Sequence, residues 1–556
     1  KGAVGSAVVL GLLAGIAFWL VPQWQRHHEH KRTAQAQLLL KRGYQALAAQ
    51  FALQVFQKNE RNVDACRVLA DLNERQGFSD AVQWRRRVVD SAPTVTNRLD
   101  LAATAVKFEP PPSATAGRML NELSATATTN LARYQVVQAQ FEARKGNLAQ
   151  AVAHYETALV RDPDDSEVML ALALLRLQAR NFTSLEDAEA SLMALVERPE
   201  TSTRALRPLV AINANRGDYD AALGCSERIL AGENPTFDDR VAHLEVLLRK
   251  RDPRGPAVLR TLQDQVSANP LFVNQLASWL MAQGRAREAI HWIGTLPPAI
   301  RRSDPVLVAT ADAYAAGADW QGLAEFLQTE RPNWGTIEYI RQVFLARAYR
   351  GLGDTRGFKE NFNCAKELAA GMYLRLGQFT DMISRWGWRN EVEELWWELF
   401  NRYPTEGRAP GLLLNRYFEE GNTDGLRRVY EQQLARSTND VPLMNNLAMV
   451  LLLLQRDLQR AHQLAGEAHR RMPEIAAFSS TYAYSLACQG RAAEGRKLLD
   501  SLGPDTLKVP SIASYYAIIC DALGDHESAR RHLDYSRQAT LLPEEKALLD
   551  RISARP

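Results

Sequence analysis

Cysteines and histidines are the residues in this sequence whose spacing could indicate a metal site. Five cysteines are scattered along the chain, at Cys66, Cys225, Cys364, Cys488 and Cys520. Because no two of them form a C-x-x-C pair, they indicate neither a zinc site nor a disulfide framework. His27, His28 and His30 lack the i, i+4 spacing of metal ligands on a helix. We therefore predict no bound metal, and we interpret the histidines as a polar collar beside the apolar segment that precedes them.

Two carboxylate pairs and one glycine run are the remaining candidates for catalysis or nucleotide binding: Glu393 and Glu394, Glu544 and Glu545, and Gly351, Gly353 and Gly357. The carboxylates fall on predicted helix surfaces, where solvation is the simpler interpretation. A phosphate-binding loop follows a strand, whereas these glycines lie at a turn between helices. The motifs G-x-S-x-G, H-E-x-x-H and G-x-x-x-x-G-K-[ST] do not occur. We expect a protein that is not an enzyme and that holds no cofactor.

The composition excludes two broad classes of protein. Of the 556 residues, 46% are hydrophobic and 24% are charged, which provides enough apolar surface to offset chain ordering. The formal net charge of +3 does not provide the concentrated basic face of a general nucleic-acid binder. We therefore expect a folded chain with protein partners and no nucleic acid. Arginine greatly outnumbers lysine, which is typical of a GC-rich genome and favours a bacterial origin.

The start of the chain predicts a membrane anchor. Ala3 to Val21 is apolar or small throughout, a run of about 19 residues that would extend roughly 28 Å as a helix. Trp19 and Trp24 stand near one end, where indoles favour the membrane interface. A cleaved signal peptide is the alternative, but the run is long for one and no A-x-A pattern closes it. We expect residues 3–22 to contact the membrane.

One face of this predicted helix carries small side chains only, at Ala3, Ala7, Gly11 and Gly15. A face of this kind allows a second transmembrane helix to approach closely, so a helix partner is one interpretation. The other is that glycine and alanine are simply common in membrane helices.

The basic residues near this segment are unequally distributed: Lys1 precedes it, and Arg26, Lys31, Arg32, Lys41 and Arg42 follow it. Positive charge favours the cytoplasmic side, so this asymmetry favours a cytoplasmic location for the rest of the chain. We expect a single-pass protein of the bacterial inner membrane. A periplasmic location is the open alternative, because basic residues could also precede Lys1.

Beyond the apolar segment, the sequence repeats with a period of about 34 residues. Glycines mark the repeat at Gly43, Gly77, Gly146, Gly217, Gly284, Gly317, Gly353, Gly387, Gly421, Gly490 and Gly524. Each gap between them is close to one or two periods. The turns missing from the series should fall near residues 111, 181, 251 and 456, where proline, asparagine or aspartate occurs. Such a period is the signature of a solenoid of helical hairpins.

The residues around each glycine indicate which repeat this is. The best unit contains Leu345, Ala346, Tyr349, Gly353, Asp354, Phe362 and Ala365. Other units repeat its small residue after the turn, at Ala151, Ala222, Ala289, Ala461 and Ala529. Closing prolines stand at Pro93, Pro163, Pro235, Pro404 and Pro473. This pattern resembles the tetratricopeptide repeat (TPR), in which helices A and B form a hairpin and successive hairpins stack.

Several units depart from the TPR pattern. Residues 108–117 replace a turn with a proline-rich stretch, and the unit at Gly317 is one residue short before its glycine. One unit concentrates four tryptophans, at Trp386, Trp388, Trp396 and Trp397. An exposed aromatic patch would suit a partner, whereas helical spacing more often indicates a core.

These observations predict an all-α fold, an α-solenoid of about 15 TPR-like helical hairpins preceded by one transmembrane helix. We expect an anchor at 1–25, N-terminal TPR-like repeats at 26–112, the main superhelix at 113–543, and a C-terminal cap and tail at 544–556. Because the repeats occupy the chain from about residue 30 to residue 543, no stretch remains for a separate catalytic domain.

The resemblance to TPR proteins also implies a binding surface. In that family the concave groove, lined by A helices, holds a peptide or helix of another protein. The matching positions in this chain are Arg347, Arg350, Asn415, Glu419, Asn445, Met449 and Tyr484. Arginine and asparagine there could bind an extended backbone or a carboxylate.

Two functions from different classes follow. The first is a non-catalytic, membrane-anchored scaffold or adaptor that recruits or assembles protein partners at the membrane. The alternative is a constitutive structural subunit of a membrane complex or homo-oligomer. An open polar groove favours the adaptor, whereas a groove filled by the protein's own chain or a neighbour favours the structural subunit.

Overall fold

The computed structural model describes residues 27–124, 127–179, 182–404 and 407–554. Every regular element in these ranges is a helix, which confirms the all-α prediction. The chain divides into two compact units, the first ending at Gln265 and the second beginning at Val266. The domain boundaries expected at residues 112 and 543 stay predictions. The expected anchor and its small-residue face of Ala3, Ala7, Gly11 and Gly15 lie outside the described residues.

The first unit consists of seven helical hairpins. Their helices are α1 (27–41), α2 (Gln45–Lys58), α3 (Val63–Gln76), α4 (Ala81–Ser91), α5 (Val95–Phe108), α6 (Ala114–Ser124), α7 (Ala132–Lys145), α8 (Leu148–Arg161), α9 (Ser166–Ala179), α10 (Phe182–Val196), α11 (Ser202–Arg216), α12 (Tyr219–Leu230), α13 (Phe237–Lys250) and α14 (Gly255–Val266). Each odd-numbered helix is a helix A, and α3, α5, α7, α9 and α11 each pack against the helix B that follows.

The second unit adds eight hairpins, a short linking helix and a C-terminal helix. Its helices are α15 (Pro270–Ala282), α16 (Ala286–Thr295), α17 (Pro298–Arg301), α18 (Asp304–Ala316), α19 (Trp320–Thr329), α20 (Glu338–Gly351), α21 (Thr355–Ala369), α22 (Tyr373–Arg385), α23 (Arg389–Arg402), α24 (Arg408–Glu419), α25 (Thr423–Arg436), α26 (Val441–Leu453), α27 (Leu458–Arg471), α28 (Ala476–Cys488), α29 (Ala492–Asp500), α30 (Pro510–Ala522), α31 (His526–Ser536) and α32 (Pro543–Ser553). In the described residues the hairpins therefore number fifteen, as the period predicts.

The glycine–acid motif at the turns ends one helix and caps the next. Gly217, Gly353 and similar glycines adopt positive φ angles and end helix A in the left-handed conformation. The next residue caps helix B, since the side chain of Asp218 accepts a hydrogen bond from the Ala221 N–H at 3.0 Å. Asp354 does the same for the Gly357 N–H at 2.9 Å. One dipeptide thus stops one helix and starts the next.

One turn differs from the prediction. Gly317 has an ordinary φ of −80° and is not the left-handed residue of its turn. Ala318 takes that conformation instead, with φ of 52°. Because this unit is one residue short before its glycine, the turn position falls on the following residue. The predicted breakers near 251 and 456 are turns, with positive φ at Arg251 and Asp457.

The core of the hairpins depends on small residues where the two helices approach each other. All five predicted helix-B alanines are fully buried: Ala151, Ala222, Ala289, Ala461 and Ala529. Every predicted closing proline, from Pro93 to Pro473, follows the end of its helix B, since proline cannot donate the next backbone hydrogen bond. In the described ranges, no helix has both the length and the apolar character needed to cross a membrane.

Candidate functional site

The predicted pair Arg347 and Arg350 lies on α20, where a spacing of three residues places both side chains on one helix face. The Arg347 guanidinium stacks 4.1 Å from the Trp386 ring centroid and lies 3.9 Å from an oxygen of Asp312. Arg350 stacks 4.7 Å from the ring of Trp388. The two arginines therefore join α20 to the turn between α22 and α23.

The two guanidinium groups differ in how accessible they are to a binding partner. Burial lowers the pKa of Arg347 and raises the pKa of its partner Asp312, because both charged forms are poorly solvated there. The Arg350 side chain is 45% exposed and lies 3.1 Å from the Glu391 carboxylate. A partner's carboxylate would reach Arg350 without entering the core, whereas Arg347 mainly holds its neighbours in place.

Trp388, on which Arg350 stacks, also lines an open cleft of about 580 Å³. Its lining combines indole faces with charged side chains, among them Trp388, Arg389, Trp396, Arg416 and Glu419. The predicted groove residue Glu419 is exposed at this cleft, so the fold brings it together with Arg350 around one tryptophan. A flat aromatic surface edged by both signs of charge suits a polar peptide or a helix face.

The charged edge of the cleft is held in position by neighbouring groups. Arg416 lies 2.9 Å from the Glu420 carboxylate and 3.4 Å from that of Glu393, and it also donates to the backbone carbonyl of Arg389. These contacts fix the guanidinium across the mouth of the cleft. Arg389 itself is exposed and borders the opening.

A buried tyrosine that the sequence does not reveal supports the tryptophan cluster from below. Tyr417 is fully buried, donates a hydrogen bond to Glu393 and accepts one from Trp397 Nε1 at 2.9 Å. Burial and the neighbouring Glu393 carboxylate raise the pKa of the Tyr417 hydroxyl. The crowding of tryptophans in one repeat was the only signal in the sequence for this network.

The four tryptophans divide between core and surface. Trp388 is buried, while Trp386, Trp396 and Trp397 are half-buried. Trp386 packs on Phe344 with ring centroids 5.6 Å apart. The cluster is therefore mainly core, and Trp396 presents its face to the cleft.

The remaining predicted groove residues lie further along the second unit. Asn415 is exposed on α24, four residues before Glu419, and Met449 is half-buried on α26. Asn445 is buried, and its Oδ1 has no hydrogen-bond partner within the residues that the structure describes. Their role as a binding surface stays a prediction.

Tyr484 on α28 is buried, although it was predicted to line the groove. Its ring packs on Tyr515 of α30 at a centroid distance of 5.1 Å, and burial raises the pKa of its hydroxyl. Leu542, which immediately precedes α32, belongs to the same buried cluster. The chain's own C-terminal segment thus lies over this part of the A helices.

The first unit contains a charged cleft of about 510 Å³ that sequence reasoning missed. Arg85, which the sequence presents as part of a basic run, is largely buried there and donates to Asp71 at 2.6 Å and to Glu74 at 2.9 Å. Thr104 donates to the same Glu74 at 2.5 Å. Burial raises the pKa of Asp71 despite the nearby arginine. The first arginine of the basic run is therefore used in internal ion pairs.

Chemically reactive groups are sparse in the described residues. Burial raises the pKa of all five cysteine thiols, that of Cys520 to about 11, so none is an activated thiolate. His27, His28 and His30 are exposed on α1. The parts of the chain that the structure describes hold no group of three or more His, Cys, Asp or Glu residues placed to bind a metal.

Three buried or half-buried histidines pair with serines, a geometry that superficially resembles a catalytic dyad. Ser226 Oγ lies 2.9 Å from His243 Nδ1, and the same hydroxyl donates to the Leu223 carbonyl. The similar contacts of His462 with Ser485 and of His469 with Ser479 each join a helix B to the next helix A. Such recurrence at repeat junctions indicates a packing role.

No model of a known protein family matches the chain. A curated relative, cellulose synthase operon protein C of Xanthomonas axonopodis pv. citri (strain 306), is 27% identical over 233 residues. That match covers 39% of this chain and 13% of the relative, so the chain spans only a small part of that protein's length.

Two solved structures align along much of the chain with low scores. A chain of the APC/C hetero-tetramer Cut9-Hcn1 is 15% identical at a TM-score of 0.30, covering 82% of this chain and 96% of that one. A chain of Naa15/Naa10 bound to HypK-THB is 13% identical at a TM-score of 0.29, covering 95% and 91% respectively. Scores this low place no residue of the chain on either structure. The hairpins, their glycine–acid turns and their buried alanines make the chain a TPR-like all-helical repeat protein.

Proposed function

We propose that this protein is a non-catalytic, membrane-anchored scaffold that binds protein partners through a cleft of its second unit, formed by the turn between α22 and α23, the start of α23 and the end of α24. The observation that carries the proposal is the open cleft beside Arg350, Trp388 and Glu419. It combines aromatic area with exposed charge of both signs, the chemistry by which peptides and helices are held in grooves.

The anchor in this proposal rests on the sequence. The apolar run Ala3 to Val21 is long enough to span a bilayer, and its small-residue face would pack against a partner's transmembrane helix. The basic residues that follow the run favour a cytoplasmic repeat domain at a bacterial inner membrane, with the periplasm as the alternative.

A second function, a constitutive structural subunit, is favoured by a different observation. The A-helix surface around Tyr484 and Tyr515 is filled by the chain's own segment at Leu542. A groove filled from within needs no transient partner. The open cleft and the filled surface belong to one unit, and the experiments below decide which of them meets other proteins.

Site-specific photocrosslinking tests the cleft directly. A photoreactive residue replaces Arg389 at the cleft and, as the matched control, Glu360, which is exposed on α21 and is not among the residues that line the cleft. In native membranes we expect crosslinked partner bands from position 389 and none from position 360. Equal crosslinking from both positions, or none from 389, would contradict the proposal.

Charge reversal tests the recognition chemistry. Arg350→Glu should weaken partner capture at least about tenfold, because the half-exposed guanidinium stacks on Trp388, which lines the cleft, and is one of the cations that a partner's carboxylate could reach. Arg356→Glu is the control, since Arg356 is exposed on α21 and pairs with Glu360 of the same helix. Capture that survives Arg350→Glu unchanged moves the binding site away from this face.

The membrane part is tested separately. Removal of residues 1–25 should transfer the chain from the membrane fraction to the supernatant, and Gly11→Leu with Gly15→Leu should abolish association with a transmembrane partner but leave anchoring intact. Membrane association that persists without residues 1–25 contradicts the anchor.

A further inference from the structure

The C-terminal helix α32 makes two different kinds of contact within the second unit. Its later residues Leu549 and Ile552 are buried in the apolar cluster of α30 and α31, as expected for a helix that closes the end of a repeat stack. Leu542, just before the helix, is buried instead in the cluster that contains Tyr484 and Tyr515. The beginning of α32 therefore lies on the A-helix surface and not only on the end of the stack.

The first turn of α32 also reaches a hairpin far from the end of the chain. Glu544 Oε2 accepts a hydrogen bond from the Thr423 hydroxyl at 2.5 Å, across 121 residues of sequence. Pro543 lies against the turn before α25, where a Cβ added to Gly421 would stand 2.8 Å from Pro543 Cγ. A simple end cap would need neither contact, since two complete hairpins separate α25 from α30.

The next residue completes a small polar site. Glu545 Oε1 accepts a hydrogen bond from the Tyr515 hydroxyl, and its Oε2 accepts one from the Leu542 N–H at 2.8 Å. Thr423 and Tyr515 are 2% and 5% exposed, so both hydroxyls are buried while this segment covers them. Burial and the nearby Glu545 raise the pKa of Tyr515 well above its ordinary value.

The surface that receives this segment is thus built from four residues of three hairpins: Gly421, Thr423, Tyr484 and Tyr515. It offers two buried hydroxyl donors to carboxylates, a tight seat for a proline and an apolar floor for a leucine. Residues 537–542 between α31 and α32 are not helical, so the segment can detach without unwinding α31.

We propose that this surface, here called the tyrosine seat, binds the first turn of a partner helix that begins with leucine, proline and two acidic residues. Residues 541–549 occupy the seat as an internal mimic of that partner. The inference rests on the proposed function, because it identifies the chemistry of one partner of the scaffold. A partner binds only by displacing the tethered segment, whose effective concentration is in the millimolar range.

A cleavable chain tests whether the seat exchanges its occupant. A protease recognition sequence inserted after Gln538 allows the folded full-length protein to be cut between α31 and α32. A fluorescent synthetic peptide of residues 539–556 is then the probe. We expect saturable binding to the cut chain and binding at least about a hundredfold weaker to the uncut chain, in which the competitor stays tethered.

Peptide variants test the recognition chemistry. Glu544→Ala and Glu545→Ala should each weaken binding about tenfold or more, because each removes the acceptor of a buried hydroxyl. Lys546→Ala is the matched control, since this side chain is exposed, and it should change affinity less than about twofold. A peptide of unrelated sequence that keeps only Leu542, Pro543, Glu544, Glu545, Leu548 and Leu549 should still bind.

A pair of glycine substitutions tests the seat in the cut chain. Gly421→Ala places a methyl group against Pro543, whereas Gly387→Ala adds one at a similar positive φ with no atom within 4 Å. Both proteins should retain their helical circular dichroism. Because the probe carries the same proline, it should bind cut Gly421→Ala at least about tenfold more weakly than the cut wild type, and cut Gly387→Ala should equal wild type.

Three results would overturn the inference. The first is a cut chain that never exchanges its peptide, and the second is equal affinity of the Glu544→Ala, Glu545→Ala and Lys546→Ala peptides. The third is equal probe binding by Gly421→Ala and Gly387→Ala. If these results occur while crosslinks from position 389 persist in membranes, the seat is an end cap alone and the proposed scaffold function stands. If the crosslinks fail and the probe exchanges, the scaffold proposal fails and the seat stands.

Discussion

The second unit contains two stretches of surface with opposite characters. Around α20 to α24, arginines stack on tryptophans and leave an open cleft. Around α28 and α30, tyrosines lie beneath the chain's own C-terminal segment. Both stretches consist of helical hairpins, and they differ in their side chains and in what covers them.

The comparison shows two ways in which a surface of this protein is stabilised: by contacts among its own side chains, or by a covering segment of the chain. In the open stretch, aromatic rings and ion pairs hold the surface rigid without any cover, as in the contact of Arg416 with Glu420. In the covered stretch, the buried hydroxyls of Thr423 and Tyr515 depend on carboxylates of α32. The first surface is open, and the second is covered by the chain's own C-terminal segment.

The largest expected effect tests the aromatic core under the open stretch. Phe379 is fully buried between α21 and α23, and Phe379→Ala should lower the free energy of unfolding by about 3–5 kcal/mol, because it leaves a cavity. Urea denaturation followed by tryptophan fluorescence measures the loss. Hydrogen exchange should increase most in α22 and α23. An increase in exchange confined to α32 would contradict the expectation that this substitution acts mainly on the open stretch.

The next effect tests how closely the cover fits. Gly421→Ala should destabilise the protein by about 2–4 kcal/mol, the sum of left-handed strain and overpacking against Pro543. Gly387→Ala bears the strain alone and should lose about 1–2 kcal/mol. Thermal unfolding of the two variants gives the difference. Equal losses of stability in the two variants would mean that Pro543 moves away from the added methyl group without a free-energy cost.

A smaller effect is expected within the tryptophan cluster. Tyr417→Phe leaves the Trp397 N–H without its acceptor and should cost about 1–3 kcal/mol. A double-mutant cycle with Trp397→Phe isolates the coupling between the two side chains. Additive losses would show that the 2.9 Å contact contributes nothing of its own.

The pH dependence tests the histidine–serine pairs beside the covered stretch. Burial lowers the pKa of His462 and of His469 below the ordinary value of 6.5. As the pH falls below 6.5, the unfolded chain binds protons that the folded chain does not, so the free energy of unfolding decreases on acidification. Urea midpoints at pH 5.5 and pH 7.5 measure this slope.

The matched variants separate these histidines from the rest of the chain. His462→Gln combined with His469→Gln should reduce the pH slope, to which His154 and His243 also contribute because burial lowers the pKa of each. His291→Gln, at an exposed position, should leave the slope unchanged. A slope that the double substitution does not reduce would assign the acid sensitivity to other groups.

The smallest effect on stability concerns the open stretch. Arg350→Glu should change the free energy of unfolding by no more than about 1 kcal/mol, because its contact with Glu391 is half-exposed and screened. The same substitution is expected to reduce partner capture strongly. A large loss of stability would show that Arg350 is a structural residue like Arg347.

Part of the candidate site follows from the sequence. The resemblance to TPR proteins implied Arg347, Arg350 and Glu419 as groove positions, and in the structure Arg350 stacks on Trp388 while Trp388 and Glu419 line one cleft. Helical spacing explains why Arg347 and Arg350 share one face of α20. Tyr417 and its hydrogen bonds to Glu393 and Trp397 were not predictable, because they depend on how α23 and α24 pack. The unit at Gly317 was misplaced by one residue because spacing, not residue type, fixes the turn.

The sequence by itself determined the hairpins, since a glycine that ends one helix, an acid that caps the next and an alanine that lets them touch act within a few residues of each other. Only the tertiary structure decided which part of the A-helix surface is open. The contact between Thr423 and Glu544 crosses 121 residues. No local pattern encodes such a contact, because it depends on how the stacked hairpins of the second unit bring distant turns together.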